Sequence, residues 1–364
     1  MDEQKKRPLP HSNNKRKRKK RLTKIGLGII LGFLAVIVLV FALCVIRPLF
    51  FSNHGDEKRA GETIVVTIPE GSSTADIAQI LKENDLIDSA WGFRMKSKSS
   101  GYDGTYKQGT YQLDYGMDQL EMMAIISSGE VYHAYTLVVP EGFTTVRIAQ
   151  RVEELGICTA QEFIQECQTG TFDYTFLENL PDRTYRLEGY LFPDTYYFEE
   201  GATARDVVNA MLKRFEQIYE TYQDDIEASS YSLDQIITMA SIVEREIALD
   251  EERAVAAGVI YNRLKDGMRL QIDATVLYGQ LVNGEDTSSV NLESDSPYNT
   301  YLNQGLPIGP IANPGEASII AALNPASHNY IYYVLESADQ ENHIYCETYE
   351  EFLEAKANYQ KTLS

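Results

Sequence analysis

The longest apolar run of the chain lies near its N-terminus. Residues 25–46 read IGLGIILGFLAVIVLVFALCVI, which is 22 apolar or small residues without a charge. In helical form such a run is long enough to cross a hydrocarbon core of roughly 30 Å. The pattern therefore predicts a single transmembrane helix at residues 25–47, followed by a short polar stalk at residues 48–61.

The charges that flank this run predict its orientation. Eleven Lys and Arg residues precede it in the segment 1–24, which we interpret as a basic cytoplasmic tail in contact with the membrane surface. The rest of the chain is then extracytoplasmic. A cleaved signal peptide is the competing interpretation, but its apolar region would be shorter and would end at a small-residue cleavage site, and none is convincing before Arg47.

Two later segments share a pattern of strand, tight turn and amphipathic helix. The first reads TIPEGSSTADIAQILKENDLI from Thr67, and the second reads VVPEGFTTVRIAQRVEELGI from Val138. In the first copy Ile77, Ile80 and Leu81 have the i, i+3, i+4 spacing of an apolar helix face. The pair predicts a small α+β module over residues 62–158. Its PEGxxTxxIA pattern resembles LysM-like carbohydrate-binding modules, and a rigid spacer is the alternative interpretation.

Helix signals dominate residues 159–230, which we interpret as a connecting helical region. Thr159 with Glu162, and Thr203 with Asp206, have the spacing of capping boxes, in which two side chains satisfy the first backbone N–H groups of a helix.

Residues 231–364 mix helix and strand signals and are predicted to form a further α+β domain. Ser232 with Gln235 is a third capping box, and it opens a helix that reads LDQIITMASIVEREIA. The segment 268–279, MRLQIDATVLYG, is predicted as a strand because it is rich in β-formers. Asn313 is predicted to cap a later helix. The fold class is therefore α+β throughout the part outside the membrane.

Charge excludes one class of function for that part. The chain has 33 basic and 53 acidic residues, and residues 1–50 take 12 of the basic and 2 of the acidic ones. The remainder therefore has a net charge of about −30. Binding of nucleic acid is excluded, because so acidic a surface would not neutralise phosphates.

Cysteine and histidine patterns give no sign of a metal or cofactor site. Outside the predicted membrane helix the cysteines are Cys158, Cys167 and Cys346, without a CxxC pair, and the five histidines are scattered. Cys158 and Cys167 could pair, but two independent thiols are the simpler expectation. Motifs typical of zinc peptidases, serine hydrolases and nucleotide enzymes are also missing from the sequence outside the membrane run.

Two glutamates on the helix from Leu233 are candidates for proton transfer. On a helical wheel, Glu244 and Glu246 lie on opposite flanks of the apolar arc, whereas Thr238 and Ser241 fall opposite it and are expected to face water. A half-buried carboxyl either pairs with a base or has a raised pKa, and a protonated one can donate to a leaving oxygen. The wheel does not distinguish the two glutamates. Structural ion pairs are the alternative, with these possible partners: Arg253, Arg263 and Arg269.

The irregular segment 296–313, SPYNTYLNQGLPIGPIAN, is the second candidate region. Its side chains could stack on sugar rings and bind hydroxyl or amide groups, and a structural crossover is the alternative interpretation. The polar and aromatic residues concerned are Tyr298, Asn299, Thr300, Tyr301, Asn303 and Gln304.

These segments together resemble the endolytic murein transglycosylase, or YceG-like, family. The resemblance rests on ASIVEREI, VIYNRLKDGMRLQIDATVLYG, SPYNTY, GLPIGPIANPG, AALNPA and LEGYLFPDTY, and it extends over essentially everything outside the membrane. It implies that residues 231–364 are the catalytic domain of a bacterial cell-membrane protein that acts on peptidoglycan strands without a cofactor. It also implies, as a family-level expectation, partners among the peptidoglycan synthases and the elongation machinery.

The resemblance further implies roles for particular residues. The catalytic acid of the family falls on Glu244, and substrate-binding or supporting positions fall on Glu246, Asn262, Arg263, Gln271, Asp273, Tyr298, Asn299 and Asn313. One departure is Asp273-Ala274-Thr275, where the family usually has Asp-Pro-Thr.

The implied reaction cleaves the β-1,4 bond between N-acetylmuramic acid and N-acetylglucosamine. One glutamate protonates the glycosidic oxygen and then accepts the proton of the muramic acid 6-hydroxyl, which closes a 1,6-anhydro ring. Two alternatives remain open. A hydrolytic muramidase would use Glu246 or Asp273 as its second carboxylate, and a wall-binding scaffold would have no catalytic activity at all.

Overall fold

The structure is a computed structural model, and it describes residues 29, 32–40, 59 and 61–363. Residues 32–40 are helical, and within the described residues no helix combines the length and apolar character needed to cross a bilayer. The predicted basic tail, most of the predicted membrane helix at 25–47 and most of the predicted stalk at 48–61 lie outside the described residues.

The chain divides into two compact units, Met1–Tyr132 and His133–Ser364. The segment 62–158, which the sequence predicts as one module, crosses this division, and its two repeats lie in different units.

From residue 61 onward, the first unit contains a two-stranded antiparallel sheet and three helices around a core of its own. Strand β1 pairs with β2 in a register that places Thr63 opposite Asp114. Ser73 caps helix α1 and forms a capping box with Asp76, so the predicted strand, turn and helix of the first repeat are confirmed. The elements are β1 (Thr63–Ile68), α1 (Thr74–Glu83), α2 (Ala90–Ser100), β2 (Gly109–Asp114) and α3 (Gln119–Ser128).

The second unit is mainly helical, with two short two-stranded antiparallel sheets in its described residues. Its elements in chain order are β3 (Tyr135–Val138), α4 (Thr145–Glu154), α5 (Ala160–Thr169), β4 (Thr195–Phe198), α6 (Ala204–Thr221), α7 (Gln223–Ala228), α8 (Leu233–Glu246), α9 (Asp250–Lys265), α10 (Asp273–Asn283), α11 (Glu316–Leu323), β5 (Tyr332–Leu335), β6 (His343–Cys346) and α12 (Tyr349–Thr362). Strand β3 of the second repeat pairs with β4, and β5 pairs with β6. The mixture of helix and strand confirms the α+β class.

Helix α8 is the centre of this unit. The capping box of Ser232 and Gln235 is confirmed at its N-terminus. The expectation that Thr238 and Ser241 face water is wrong, because both are buried. Each hydroxyl donates to a backbone carbonyl of its own helix, and Ser241 Oγ also accepts from the N–H of Ile311 at 3.0 Å. Satisfied hydroxyls can be buried at little cost, so α8 is covered on nearly every side.

The strand predicted at residues 268–279 is wrong, because helix α10 begins at Asp273. Thr275, Val276 and Tyr278 have high strand propensity, but all three are buried on the helix. Packing in the core therefore overrides local propensity here.

The predicted capping role of Asn313 is also wrong. The next helix begins at Glu316, with Gly315 at its N-cap and without a side-chain cap. Asn313 is instead fully buried, and its side chain bonds to other segments.

Candidate active site

Glu244 lies in the last turn of α8 with its side chain only 8% exposed. Its Oε2 accepts three hydrogen bonds: from the N–H of Gly315 at 3.1 Å, from Ser318 Oγ at 2.8 Å and from Arg253 Nη1 at 3.3 Å. Oε1 accepts no hydrogen bond from the residues that the structure describes. One carboxylate oxygen is therefore fixed in place, and the other has no donor among the described residues.

Arg253 connects the two helices that hold this carboxylate. Its side chain is also 8% exposed, and it donates to Ser318 Oγ at 2.6 Å and to Asp250 at 2.9 Å as well as to Glu244. The ion pair that the wheel left open as an alternative thus exists for Glu244. It balances the buried charge, but it does not exclude proton transfer, because one carboxylate oxygen stays unbonded.

A second carboxylate, that of Glu141, lies beside the same site. Glu141 belongs to the Pro-Glu-Gly turn of the second repeat, and a Cβ built on Gly315 would overlap its carboxylate. Burial is the largest cause of the raised pKa of Glu141, and the charge of Glu244 is the second largest. The charge of Arg253 lowers this pKa. Glu141 was not predicted from the sequence as a site residue. The only signal for it was that the repeated turn carries a glutamate.

Gly142, the next residue of that turn, contacts the helix directly. It has φ +75°, a left-handed conformation that favours glycine, and a Cβ there would lie 3.6 Å from Glu244 Cγ. Its N–H donates to the carbonyl of Asn313 at 2.9 Å. The turn of the second repeat therefore forms one wall of the site.

A buried network fixes this wall. The Asn313 side chain donates to the carbonyl of Phe143 and to Glu188, each at 2.9 Å. Glu188 also accepts from the N–H of Thr145 at 2.9 Å and from the hydroxyl of Tyr278 at 2.8 Å. Complete burial raises the pKa of Glu188 to about 7, against the opposing effect of these donors. Asn313 thus positions the site, and it does so through its side chain rather than as a cap.

Glu246 has different surroundings from Glu244. It is held by the hydroxyl of Tyr333 at 3.0 Å, and burial, with the nearby charge of Asp273, raises its pKa. Asp273 in turn accepts from the hydroxyl of Tyr301 at 2.7 Å. Arg263 donates to the carbonyl of Ile331 at 2.6 Å, and burial lowers its pKa. These predicted residues form a second cluster around Glu246, separate from the donors that hold Glu244.

The other predicted site residues stabilise loops. Asn262 donates to the carbonyls of His328 and Tyr330, and Asn299 donates to those of Leu292 and Ser294, all at 2.9–3.0 Å.

Two further predicted residues support the loop from Ser296. Gln271 adopts φ +52°, and its N–H donates to the carbonyl of Thr300 at 3.2 Å. Tyr298 is buried and packs edge to face on Tyr278, with ring centroids 4.8 Å apart. Neither residue is shown to contact Glu244.

Taken together, the α+β fold and this carboxyl group define a protein that can hold and transfer a proton in a partly closed site. The chain belongs to the YceG-like family, whose sequence model matches residues 66–358. This confirms the resemblance stated above.

Sequence similarity to two named proteins supports the same family assignment. The endolytic murein transglycosylase of Bacillus subtilis (strain 168) is 36% identical over 314 residues, which is 83% of this chain and 86% of that protein. The endolytic murein transglycosylase of Streptococcus pneumoniae (strain D39) is 33% identical over 297 residues. That match covers 74% of this chain and 54% of the pneumococcal protein, so the chain spans about half the length of that relative.

A solved structure agrees in fold. A putative YceG-like protein from Listeria monocytogenes superposes with a TM-score of 0.55 at 32% sequence identity. The alignment covers 80% of this chain and 99% of the Listeria chain.

Proposed function

We propose that this chain is an endolytic murein transglycosylase. It cleaves the β-1,4 bond between N-acetylmuramic acid and N-acetylglucosamine within peptidoglycan strands and leaves 1,6-anhydro ends. The observation that carries the proposal is the arrangement of Glu244, whose Oε2 is fixed by three donors while Oε1 accepts none from the described residues. The names of the relatives support the same reaction.

In the first step a protonated Glu244 donates its proton from Oε1 to the glycosidic oxygen. The bond from that oxygen to the muramic acid C1 breaks, and the sugar acquires oxocarbenium character. The N-acetylglucosamine unit leaves with the proton as a hydroxyl. Glu244 is then a carboxylate, and its new charge is stabilised by Arg253, by Ser318 and by the N–H of Gly315.

In the second step the Glu244 carboxylate accepts the proton of the muramic acid 6-hydroxyl. The oxygen of that hydroxyl bonds to C1 and closes the 1,6-anhydro ring. Glu244 is protonated again, so one carboxyl group serves as acid and base and no water is consumed. The buried hydrogen bond from Tyr333 to Glu246 supports a structural role for Glu246 rather than attack on the sugar.

A hydrolytic muramidase is the alternative reaction, and Glu141, whose pKa responds to the charge of Glu244, is a candidate for its second carboxylate beside Glu246 and Asp273. Mass spectrometry of glycan digested by the full chain separates the two. We expect anhydro-muramyl ends without incorporation of solvent oxygen. Reducing ends that carry ¹⁸O from labelled water would contradict the proposal and favour the hydrolase.

We also propose that the chain is anchored in the bacterial cell membrane by residues 25–47 with its N-terminus in the cytoplasm, and that the LysM-like pattern contributes to binding of glycan. The uncharged run and the basic tail support the anchor, and the repeated turn supports glycan binding. Coordination with peptidoglycan synthases and elongation machinery belongs to the same proposal. If the anchor limits cleavage to new strands, replacing it by a secretion signal should change strand lengths but not the bond that is cut, and unchanged lengths would contradict this.

A further inference from the structure

A cavity of about 310 Å³ lies between α4, the end of α8 and α10. Its polar lining includes Arg147, Gln150 and Arg245, and its apolar lining includes Leu277 and Ile311. Neither Glu244 nor the three donors to its Oε2 line this cavity, and no step of the proposed reaction uses it.

The two arginines of this cavity have no carboxylate partner among the described residues. Arg147 lies over the ring of Phe143, 4.5 Å from its centroid, and both arginine side chains are exposed. No Asp or Glu lines the cavity in the described part of the chain. By contrast Arg151, one turn further along α4, forms an ion pair with Glu154 at 3.2 Å. In a chain of net charge −20, two unneutralised cations that line one cavity point to an anionic ligand.

The cavity lies beside the candidate catalytic acid. Arg245 follows Glu244 directly in α8, and both side chains lie next to the turn residue Gly142. A Cβ built on Gly142 would lie 3.6 Å from Glu244 Cγ and 3.8 Å from Arg245 Cδ. A sugar positioned at Glu244 therefore places its substituents within reach of the cavity.

The substrate of the proposed function carries anionic substituents of this kind. Each muramic acid bears a peptide stem on its lactyl group, and stem peptides contain free carboxylates and aliphatic side chains. Guanidinium groups bind carboxylates with two parallel hydrogen bonds, and the leucine and isoleucine of the cavity suit an aliphatic segment.

We propose that Arg147 and Arg245 form a subsite for a carboxylate of the peptide stem next to the bond that is cut. The inference rests on the proposed function for its choice of ligand. This subsite makes the enzyme selective for strands that carry peptide stems. It also gives a function to the junction between the turn of the second repeat and α4, because Arg147 lies at that junction.

The test compares stem-bearing glycan strands with the same strands after an amidase has removed the stems. The full-length variants Arg147→Gln and Arg245→Gln should each raise KM about three- to tenfold on stem-bearing strands, the range expected for loss of a charged hydrogen bond at an accessible site. On stripped strands KM should stay unchanged, and kcat should stay unchanged on both. The control Arg151→Gln, on the same helix but already paired with Glu154, should leave both substrates unaffected. An equal rise on both substrates, or no rise on either, would overturn the subsite.

A binding measurement separates this inference from the proposed function. The full chain with Glu244→Gln is titrated with a labelled disaccharide peptide and with the same disaccharide without its stem. Adding Arg245→Gln should remove the preference for the stem-bearing ligand. If that preference is lost while the wild-type chain makes no anhydro ends, the subsite stands and the proposed reaction fails. If anhydro ends form and Arg245→Gln leaves the preference intact, the reaction stands and the subsite fails.

Discussion

The carboxylate of Glu244 and the hydroxyl of Ser318 lie 2.8 Å apart although 74 positions separate them in the chain. The contact joins the last turn of α8 to the first turn of α11. The N–H of Gly315, the N-cap residue of α11, donates to the same oxygen. The start of α11 therefore stabilises negative charge on Glu244, which is the charge that forms when the acid has given up its proton.

Ser318→Ala should lower kcat about tenfold, because it removes one of the three donors to Glu244 Oε2. The variant should also lose some stability, because the buried hydroxyl accepts a hydrogen bond from Arg253, so kcat is measured at a temperature at which circular dichroism shows the variant to be folded. Kinetics on purified glycan strands measure the effect. The control Ser327→Ala removes a hydroxyl outside this donor set, and a Ser318→Ala variant with the kcat of that control would show that the hydroxyl has no part in the reaction.

Arg253→Met should lower the free energy of unfolding by about 3–5 kcal/mol, the usual cost of leaving a buried charge without its partner. The double variant with Glu244→Gln should recover part of this loss, since the neutral amide needs no countercharge. Chemical denaturation of wild type, both single variants and the double variant completes the cycle. Additive effects of the two substitutions would mean that the ion pair contributes nothing.

The pKa of Glu141 should depend on the charge of Glu244. The charge of Glu244 is the second largest cause of the raised pKa of Glu141 after burial. Glu244→Gln should therefore lower the pKa of Glu141, followed by carbon NMR of the labelled carboxyl group. Glu246→Gln serves as the control, because Glu246 is not among the charges that raise this pKa. Equal titration curves in wild type and Glu244→Gln would place the two carboxylates too far apart to interact.

Glu188 should make the second unit less stable as pH rises. Its pKa is about 7 in the folded chain against an ordinary value of 4.5, so the folded state binds the proton more tightly. The stabilisation that protonated Glu188 contributes is complete below the ordinary pKa of 4.5 and is lost as pH rises to the folded-state pKa of about 7. Denaturation at pH 5 and at pH 7.5 should differ by roughly 2 kcal/mol on this account.

The matched comparison uses Glu188→Gln and, as the control, substitution of the exposed Glu178. Glu188→Gln should remove much of the pH dependence and destabilise the protein at pH 5, because an amide cannot accept from every donor now on Glu188. A pH dependence that persists unchanged in Glu188→Gln would assign it to other groups.

Sequence reasoning succeeded where the chemistry is local. The capping boxes of Thr159 with Glu162 and of Ser232 with Gln235 involve residues three positions apart, and both are present in the structure. The strand, turn and helix of each repeat depend equally on neighbouring residues. The family was also predicted, because its motifs are long and ordered.

Prediction from the sequence failed where contacts between distant segments determine the burial and the partners of a residue. The burial of Ser241 depends on the N–H of Ile311, and the role of Asn313 depends on Glu188 and on the carbonyl of Phe143. Glu141 is brought to Glu244 by the packing of the second repeat against α8. A helical wheel contains none of these contacts, so it could place Glu244 at a boundary but could not identify what lies across from it.

In the proposed mechanism Glu244 both supplies and recovers the proton of the reaction. The most direct test is mass spectrometry of glycan strands incubated with full-length wild type and with full-length Glu244→Gln, after circular dichroism has shown that both are folded. We expect 1,6-anhydro ends from wild type and a loss of at least about a thousandfold in their rate of formation by the variant, because the catalytic acid itself is removed. Anhydro ends formed by Glu244→Gln at a rate close to that of wild type would contradict this mechanism.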